Sequence, residues 1–581
     1  MTIRIPLALA CVFLATSVFA QEFRPAPEAA SGTLEKSLVT AKRHMVVAAE
    51  PLAAEAGREI LRRGGSATDA GIATELVLGL VEPQSSGLGG GAFITLWDAK
   101  SRAIKTIDGR ETAPAAAKPD RFLTTDGKPM AFEDAVLSGL SAGVPGLLRA
   151  LYMAHEKHGK LPWRTLFEPA IELAEKGFPI SPRLATLLEK ENPEDFAPEA
   201  RAYFYVDGSR LRTAGSLLKN PEYAATLRAI ADQGPDVFYS GDIAAAIVKA
   251  VMDAKSIPGD MTTGDLANYK AIERDPVCAR YRGRQICGVG PPSSGALTVS
   301  AVLKLIEPFS QVQGSSASMT APALNIIAEA EKLSYADRNR YIADPAFVPV
   351  PSGLLDDAYL DERRKLIIPE KAMQKAEPGL PPGLAKKAYG VDATYEVPGT
   401  TQISIIDDEG NAFAMTATIE SAFGSHLWAK GFLLNNELTD FSFVPVDANG
   451  TAVANAVAGG KRPRSSMAPT IVLGPDGAPE IVTGSPGGSQ IILYVVKTLV
   501  GMIDWRLNAQ QAAALTNFGS QGGPFLIESS LPILWSSYEL TSYGQAVSAA
   551  TMTSGINTIA RRGGILEGGA DPRRQGVALG D

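Results

Sequence analysis

Pro398-Gly399-Thr400-Thr401-Gln402-Ile403-Ser404-Ile405-Ile406-Asp407 decides how the rest of this chain is read. Thr401, Ile403 and Ile405 fall on one face of an extended segment and Gln402 and Ser404 on the other, the alternation of a half-buried strand. Gly399 stands directly before two threonines, where its backbone is free to take a positive φ or a strained geometry. Asp408-Glu409-Gly410 is turn chemistry, and Asn411 to Thr418 is a second strand rich in apolar and β-branched residues, so a hairpin is expected. Two registers are open. A Glu409-Gly410 turn sets Thr401 opposite Thr418, whereas an Asp408-Glu409 turn sets Thr400 opposite Ala417. Either one brings the Thr418 hydroxyl near Thr400.

Outward from this hairpin, the 581 residues have ordinary globular composition, 45% hydrophobic and 20% charged, and a length that by itself suits three or four domains. A net charge of −8 gives no reason to expect nucleic acid or an anionic membrane as partner. Met1 to Ala20 reads as a secretory signal: Arg4, an apolar run from Leu7 to Leu14, and Val18-Phe19-Ala20 before the cut. The alternative is an N-terminal membrane anchor, for which the run is short. The mature chain is therefore expected to be exported, periplasmic or secreted, and free of the membrane. Cys11 leaves with the leader. Cys278 and Cys287 face each other if Arg282-Gly283 is a two-residue turn, either as a cross-strand disulfide or as two reduced thiols.

Along the chain, His44 to Ala48 reads as a strand and Pro51 to Arg63 as a helix. A second helix over Ala67 to Leu80, capped by Ser66 and favoured in its first turn by Thr68-Asp69, is apolar nearly all round and so should be buried. Gly87 to Gly91 leads into a strand over Ala92 to Trp97, which is the wrong order for a phosphate loop. A short strand over Ala103 to Ile107 precedes Arg110. Residues 140–345 are mostly helical, with a long amphipathic helix over Ala321 to Tyr341. His155 and His158 have metal-ligand spacing without a third ligand, and read as a solvated pair at an exposed helix end. Glu370 to Pro398, rich in Pro, Gly and Lys, reads as a mobile connector suited to a chain break. Thr483 to Ser489 is a Gly-rich loop between the strand Glu480 to Thr483 and an apolar helix from about Gln490 to Ile503.

Taken in order, Gly87-Leu-Gly-Gly-Gly91, Gly109-Arg-Glu-Thr-Ala-Pro114, Pro291-Pro-Ser-Ser-Gly295, Tyr335-Ala-Asp-Arg338, Thr400-Thr401, Leu434-Asn-Asn-Glu-Leu-Thr-Asp-Phe-Ser442, Lys461-Arg-Pro-Arg-Ser-Ser-Met467, Thr483-Gly-Ser-Pro-Gly-Gly-Ser489 and Asp571-Pro-Arg-Arg574 resemble the γ-glutamyltranspeptidase (glutathione hydrolase) family of N-terminal-nucleophile hydrolases. The resemblance implies a four-layer αββα sandwich and one precursor that cuts itself at Gly399–Thr400. The products would be a large subunit, 21–399, and a small one, 400–581, together forming one αββα unit. It implies Thr400 as nucleophile, Thr418 as the second Thr that hydrogen-bonds it, and Gly487 and Gly488 as oxyanion donors. Arg110, Ser465 and Ser466 would hold the substrate α-carboxylate, and Glu420, Glu437 and Asp440 its α-ammonium; Glu420 is expected on the same strand face as Thr418. The donor would be glutathione or a related γ-glutamyl compound, and the acceptor water, an amino acid or a short peptide. No metal or organic cofactor is implied. The segment Phe443 to Ala454 is short beside family members with an aromatic lid, so acceptors larger than dipeptides are expected. The alternatives are a cephalosporin or glutaryl acylase of the same family, against which Asp440 argues, and an uncleaved secreted binding protein.

Overall fold

The computed structural model describes residue 30 and residues 33–384, 389–394, 396, 399–529 and 534–581. The expected secretory signal at 1–20 and part of the expected connector lie outside the described residues.

Two seven-stranded antiparallel sheets form the centre. From edge to edge, the first is Val577–Gly580, Met45–Ala48, Thr401–Ile406, Ala412–Thr418, Gly91–Asp98, Ala103–Gly109 and Ile272–Arg274. The second is Val39–Ala41, Ile565–Ala570, Asn557–Arg562, Pro479–Gly484, Thr470–Leu473, Arg284–Gly288 and Val277–Tyr281. Each sheet takes strands from both sides of position 400, so neither half of the chain completes a sheet alone. Met45, Val47, Ile406, Ala414, Ile471, Val482 and Ile559 pack between the sheets. Helices Pro51–Arg62, Ala67–Val81 and Leu147–His158 cover the outer face of the first sheet. Helices Gly295–Ile306, Ile491–Ile503 and Ala509–Ala514 cover that of the second, with Ala321–Tyr341 packed behind Gly295–Ile306. This is the expected αββα sandwich.

The hairpin adopts neither of the two expected registers. Thr401 pairs with Ala417 and Ile406 with Ala412. Asp408, Glu409 and Gly410 form a three-residue connection, with the Asp407 carboxylate accepting from the N–H of Glu409 at 3.0 Å and of Asn411 at 2.9 Å. One Asx turn thus replaces the two-residue turn, and one step back along the ladder Thr400 stands opposite Thr418. The strand is also buried on both faces rather than half-buried. Ile403 and Ile405 meet the helices, while the polar face is satisfied inside the sandwich. Gln402 Oε1 accepts from Thr416 at 2.6 Å, Ser404 donates to the Asn557 carbonyl at 2.8 Å, and Asn557 donates to the Gln402 carbonyl at 2.6 Å. Alternation therefore marks a polar tie between sheets here, not a solvent face.

Ser66 caps the helix as expected, Asp69 completes a capping box with it, and all fifteen residues of Ala67–Val81 are buried. Ala321–Tyr341, expected to be amphipathic, is buried on nearly every side, its Glu329 and Lys332 paired with each other. Cys278 and Cys287 are opposite and disulfide-bonded, with a Cα separation of 4.2 Å. The two histidines are not a solvated pair: His155 Nε2 bonds the Leu161 carbonyl at 2.9 Å and His158 lies 3.5 Å from Asp98. Among the described residues no cluster could hold a metal ion. The described part of the connector is held rather than mobile. Gly379 donates to Asp337 at 2.7 Å and accepts from Tyr341 at 2.6 Å, and Gly353 donates to the Pro382 carbonyl.

The helix Ala67–Val81 reaches the first sheet through Gly71, where a Cβ would stand 2.5 Å from the Phe413 ring. Gly71→Val should therefore cost about 1–3 kcal/mol by overpacking, read as a lowered midpoint in thermal unfolding. A midpoint equal to that of the unsubstituted chain would show that this contact is not tight.

Candidate functional site

The end of the hairpin opens into a chamber between the sheets. Its wall contains Arg110, Gly399, Thr400, Thr418, Glu420, Glu437, Asp440, Ser465, Ser466 and Gly488, which are ten of the eleven residues expected from sequence. Gly487 is the exception, standing behind Gly488 against the Tyr494 ring. Glu396, Met467 and Ile491 complete the wall. The chamber holds about 20 Å³, roughly one water.

The chain is continuous through Gly399 and Thr400. Thr418 Oγ1 donates to the Gly399 carbonyl at 2.5 Å, rather than to the Thr400 hydroxyl, and accepts the Glu420 N–H at 2.7 Å. The position before Thr400 must be glycine for a steric reason. A Cβ there would stand 1.8 Å from the Glu420 carbonyl oxygen. Glu420 itself has left the strand, with φ at 77°, and its carboxylate is held by Ser421 at 2.5 Å and Asn436 at 2.6 Å. It therefore reaches the chamber from a turn and not from the strand face. Behind Thr400, Arg574 Nη1 donates to the Thr400 carbonyl at 3.2 Å.

At the far wall, the Arg110 guanidinium donates to Glu437, to Asp440 at 2.5 Å and to the Arg464 carbonyl at 2.8 Å. All three side chains are buried. Burial pushes the carboxyls of Glu437 and Asp440 well above the usual range. Arg110 pulls them back, while repulsion from Glu111 and Glu420 adds to the rise of Glu437, and from Glu396 and Glu437 to that of Asp440. Burial also lifts Glu111, next to Arg110, to about 8. Glu437 Oε2 and Asp440 Oδ1 have no hydrogen-bond donor among the described residues. A buried acid pair with free oxygens and one shared guanidinium can take a further cation.

Ser465 accepts the Met467 N–H at 3.1 Å, and Ser466 accepts Arg338 Nη2 at 2.6 Å. Arg338 also pairs with Glu396, whose carboxyl lies 3.4 Å from Arg464. Burial would raise Glu396, but the two guanidiniums hold it below its usual value. Glu396, Arg338, Arg464 and Arg574 carried no role in the sequence reading. The three arginines lie inside quoted motifs; Glu396, four residues before Thr400, had no signal beyond that nearness. The loop Gly487-Gly488 heads the helix Ile491–Ile503. Among the described residues neither glycine N–H has an acceptor, so both remain available as donors. Gly87 to Gly91 is buried, and a Cβ at Gly90 would stand 2.0 Å from the Thr418 carbonyl oxygen. It packs the hairpin end instead of cradling a phosphate. A second cavity, of about 1100 Å³, is lined by Met130, Phe132, Tyr389, Phe443 and Val446, together with Thr394 and Thr439, which are close in sequence to Glu396 and Asp440 of the chamber wall.

The γ-glutamyltranspeptidase family model matches residues 53–581. The chain belongs to that family. It is accordingly an enzyme of γ-glutamyl hydrolysis and transfer, made as a precursor that cuts itself. It is 37% identical over 529 residues to the glutathione hydrolase proenzyme of Escherichia coli strain K12, covering 89% of this chain and 88% of the relative. It is 33% identical over 566 residues to the acylase ACY 1 proenzyme of Pseudomonas sp. strain SE83, covering 96% of each. Among solved structures, a cephalosporin acylase from Bacillus halodurans superposes with a TM-score of 0.81 at 26% identity, over 94% of this chain and 97% of that one. No helix among the described residues is long and apolar enough to cross a membrane.

Removing one partner of a buried charge cluster leaves the others uncompensated. Arg110→Met should destabilise the fold by about 3–5 kcal/mol, read by thermal unfolding. Adding Glu437→Gln and Asp440→Asn to Arg110→Met should recover part of the loss, and a triple variant no better than the single one would count against the cluster.

Proposed function

We propose that Thr400 is the nucleophile both of self-cleavage and of γ-glutamyl transfer. The observation that carries this reading is the 2.5 Å hydrogen bond from Thr418 to the Gly399 carbonyl, in a chamber that also contains Arg110, Glu437 and Asp440. In the precursor, Thr400 Oγ attacks the Gly399 carbonyl carbon, whose oxygen the Thr418 hydroxyl polarises. The Gly399–Thr400 C–N bond breaks, the nitrogen takes a proton, and an ester remains. Water then hydrolyses the ester, giving a Gly399 carboxylate and a free Thr400 amine. The subunits are 21–399 and 400–581. The new α-amine, with an ordinary pKa of about 7.7–8.0, is the base that activates its own hydroxyl.

The substrate is glutathione or a related γ-glutamyl amide. Its α-carboxylate meets Arg110, Ser465 and Ser466, and its α-ammonium meets Glu437, Asp440 and Glu420. Thr400 attacks the γ-amide carbon, Gly487 and Gly488 donate to the oxyanion, and the amine, cysteinylglycine for glutathione, departs. Water or the amine of an amino acid or peptide then takes the acyl group. A chamber of about 20 Å³ is too small for a γ-glutamyl group, so the donor enters only after the cut. The second cavity of about 1100 Å³ supports acceptors larger than dipeptides. The leader pattern expected over residues 1–20 supports an exported enzyme.

Thr400→Ala should remain a single full-length band on a denaturing gel, where the wild type gives two bands near two thirds and one third of the precursor mass. It should also release no chromogenic amine from a γ-glutamyl anilide. Cleavage of Thr400→Ala at the same bond would end the assignment.

The acylase likeness motivates the comparison of a γ-glutamyl with a glutaryl anilide, which lacks the ammonium. The γ-glutamyl compound should be preferred by roughly 10²-fold or more in kcat/KM, since a missing buried ionic partner costs several kcal/mol. Asp440→Asn should erase most of that preference. Equal rates on both compounds in the wild type would instead favour the acylase reading.

A further inference from the structure

The amino-terminal arm, outside the segment that the family model covers, touches the machinery through one side chain. Lys36 Nζ donates to three main-chain carbonyls of one turn: Asp571 at 2.8 Å, Arg574 at 2.7 Å and Gly576 at 2.5 Å. An ammonium has three donors, and all three are used here. The Leu34 N–H adds a bond to the Pro572 carbonyl at 2.8 Å. This turn is the crossover from Ile565–Ala570 in the second sheet to Val577–Gly580 in the first. From it the Arg574 side chain runs past Gly555, where a Cβ would stand 2.7 Å from Arg574 Cδ, and reaches the Thr400 carbonyl. Three carbonyls converging on one point repel each other unless a cation sits among them. Without it the turn relaxes, and the guanidinium it carries moves with it.

We infer that Lys36 is a positioning residue for self-cleavage and turnover, acting through the Asp571–Gly576 turn and Arg574 to hold the backbone of Thr400. This inference rests on Thr400 being the nucleophile. A displacement of the nucleophile by about 1 Å costs on the order of 10²-fold in rate, so a loosened turn should be visible in kinetics before it is visible in stability.

The test uses the full chain with Lys36→Met, Lys36→Gln and Lys36→Arg, with Thr400→Ala alongside. Lys36→Met should mature roughly tenfold more slowly or worse, and once mature should show a lowered kcat on a γ-glutamyl anilide with KM within about twofold. Its unfolding midpoint should lie within about 2 °C of wild type. Lys36→Arg, which keeps the charge and the donors, should restore most of the rate, and Lys36→Gln should fall between. Should Lys36→Met give no soluble chain, the Gln variant carries the comparison. Wild-type maturation of Lys36→Met or Lys36→Gln overturns the inference. So does a rate loss matched by a large fall in midpoint and not restored by Arg, which marks a merely structural role. Two subunits from Thr400→Ala would instead sink the nucleophile assignment. A block in Thr400→Ala with full-rate maturation of Lys36→Met sinks only the clamp.

Discussion

A hydroxyl held against a peptide carbonyl is the interaction around which the molecule is arranged. For Thr418 to donate to Gly399 at 2.5 Å, the hairpin must end with Thr400 opposite Thr418, and the preceding backbone must pass against the Glu420 carbonyl. Only glycine permits that passage. The three-residue connection at Asp408–Gly410 sets the ladder count, the glycine loop at 87–91 closes on the back of Thr418, and Glu420 takes a left-handed backbone to turn its carboxylate inward. Each is a steric consequence of bringing one carbonyl to one hydroxyl in a dry sandwich.

The second organising force is charge buried far from water. Arg110, Glu437, Asp440 and Glu111 form one group, and Glu396, Arg338, Arg464 and Asp392 the next. Such clusters contribute little net stability, because desolvation offsets the Coulomb gain. Their value lies in leaving specific oxygens without donors at the chamber wall.

Four of the expectations that failed share one cause. A half-buried strand, an amphipathic helix at Ala321–Tyr341, a solvated His pair and a mobile connector all equate polarity in sequence with water in the fold. In a four-layer sandwich the central elements are covered on both sides, and polar residues there meet other polar residues: Gln402 with Thr416, Glu329 with Lys332, Gly379 with Asp337. Periodicity reports that two faces differ, not what covers each of them.

Local chemistry was enough to establish the hairpin, the capped buried helix at Ala67, the Cys278–Cys287 pairing and, through a dense set of motifs, the family and ten of the thirteen chamber residues. These depend on turns, caps and alternation, or on short runs whose spacing the chain itself carries. What needed the tertiary structure was every relation between distant segments. Thr418 bonds the Gly399 carbonyl and not the hydroxyl, Glu396 belongs to the wall, Arg110 is already paired with the acids, and Lys36 reaches the turn that holds Thr400. Such contacts join residues tens to hundreds of positions apart. They exist only where two sheets and their covering helices bring separate backbones within a few ångströms, a distance that no local pattern encodes.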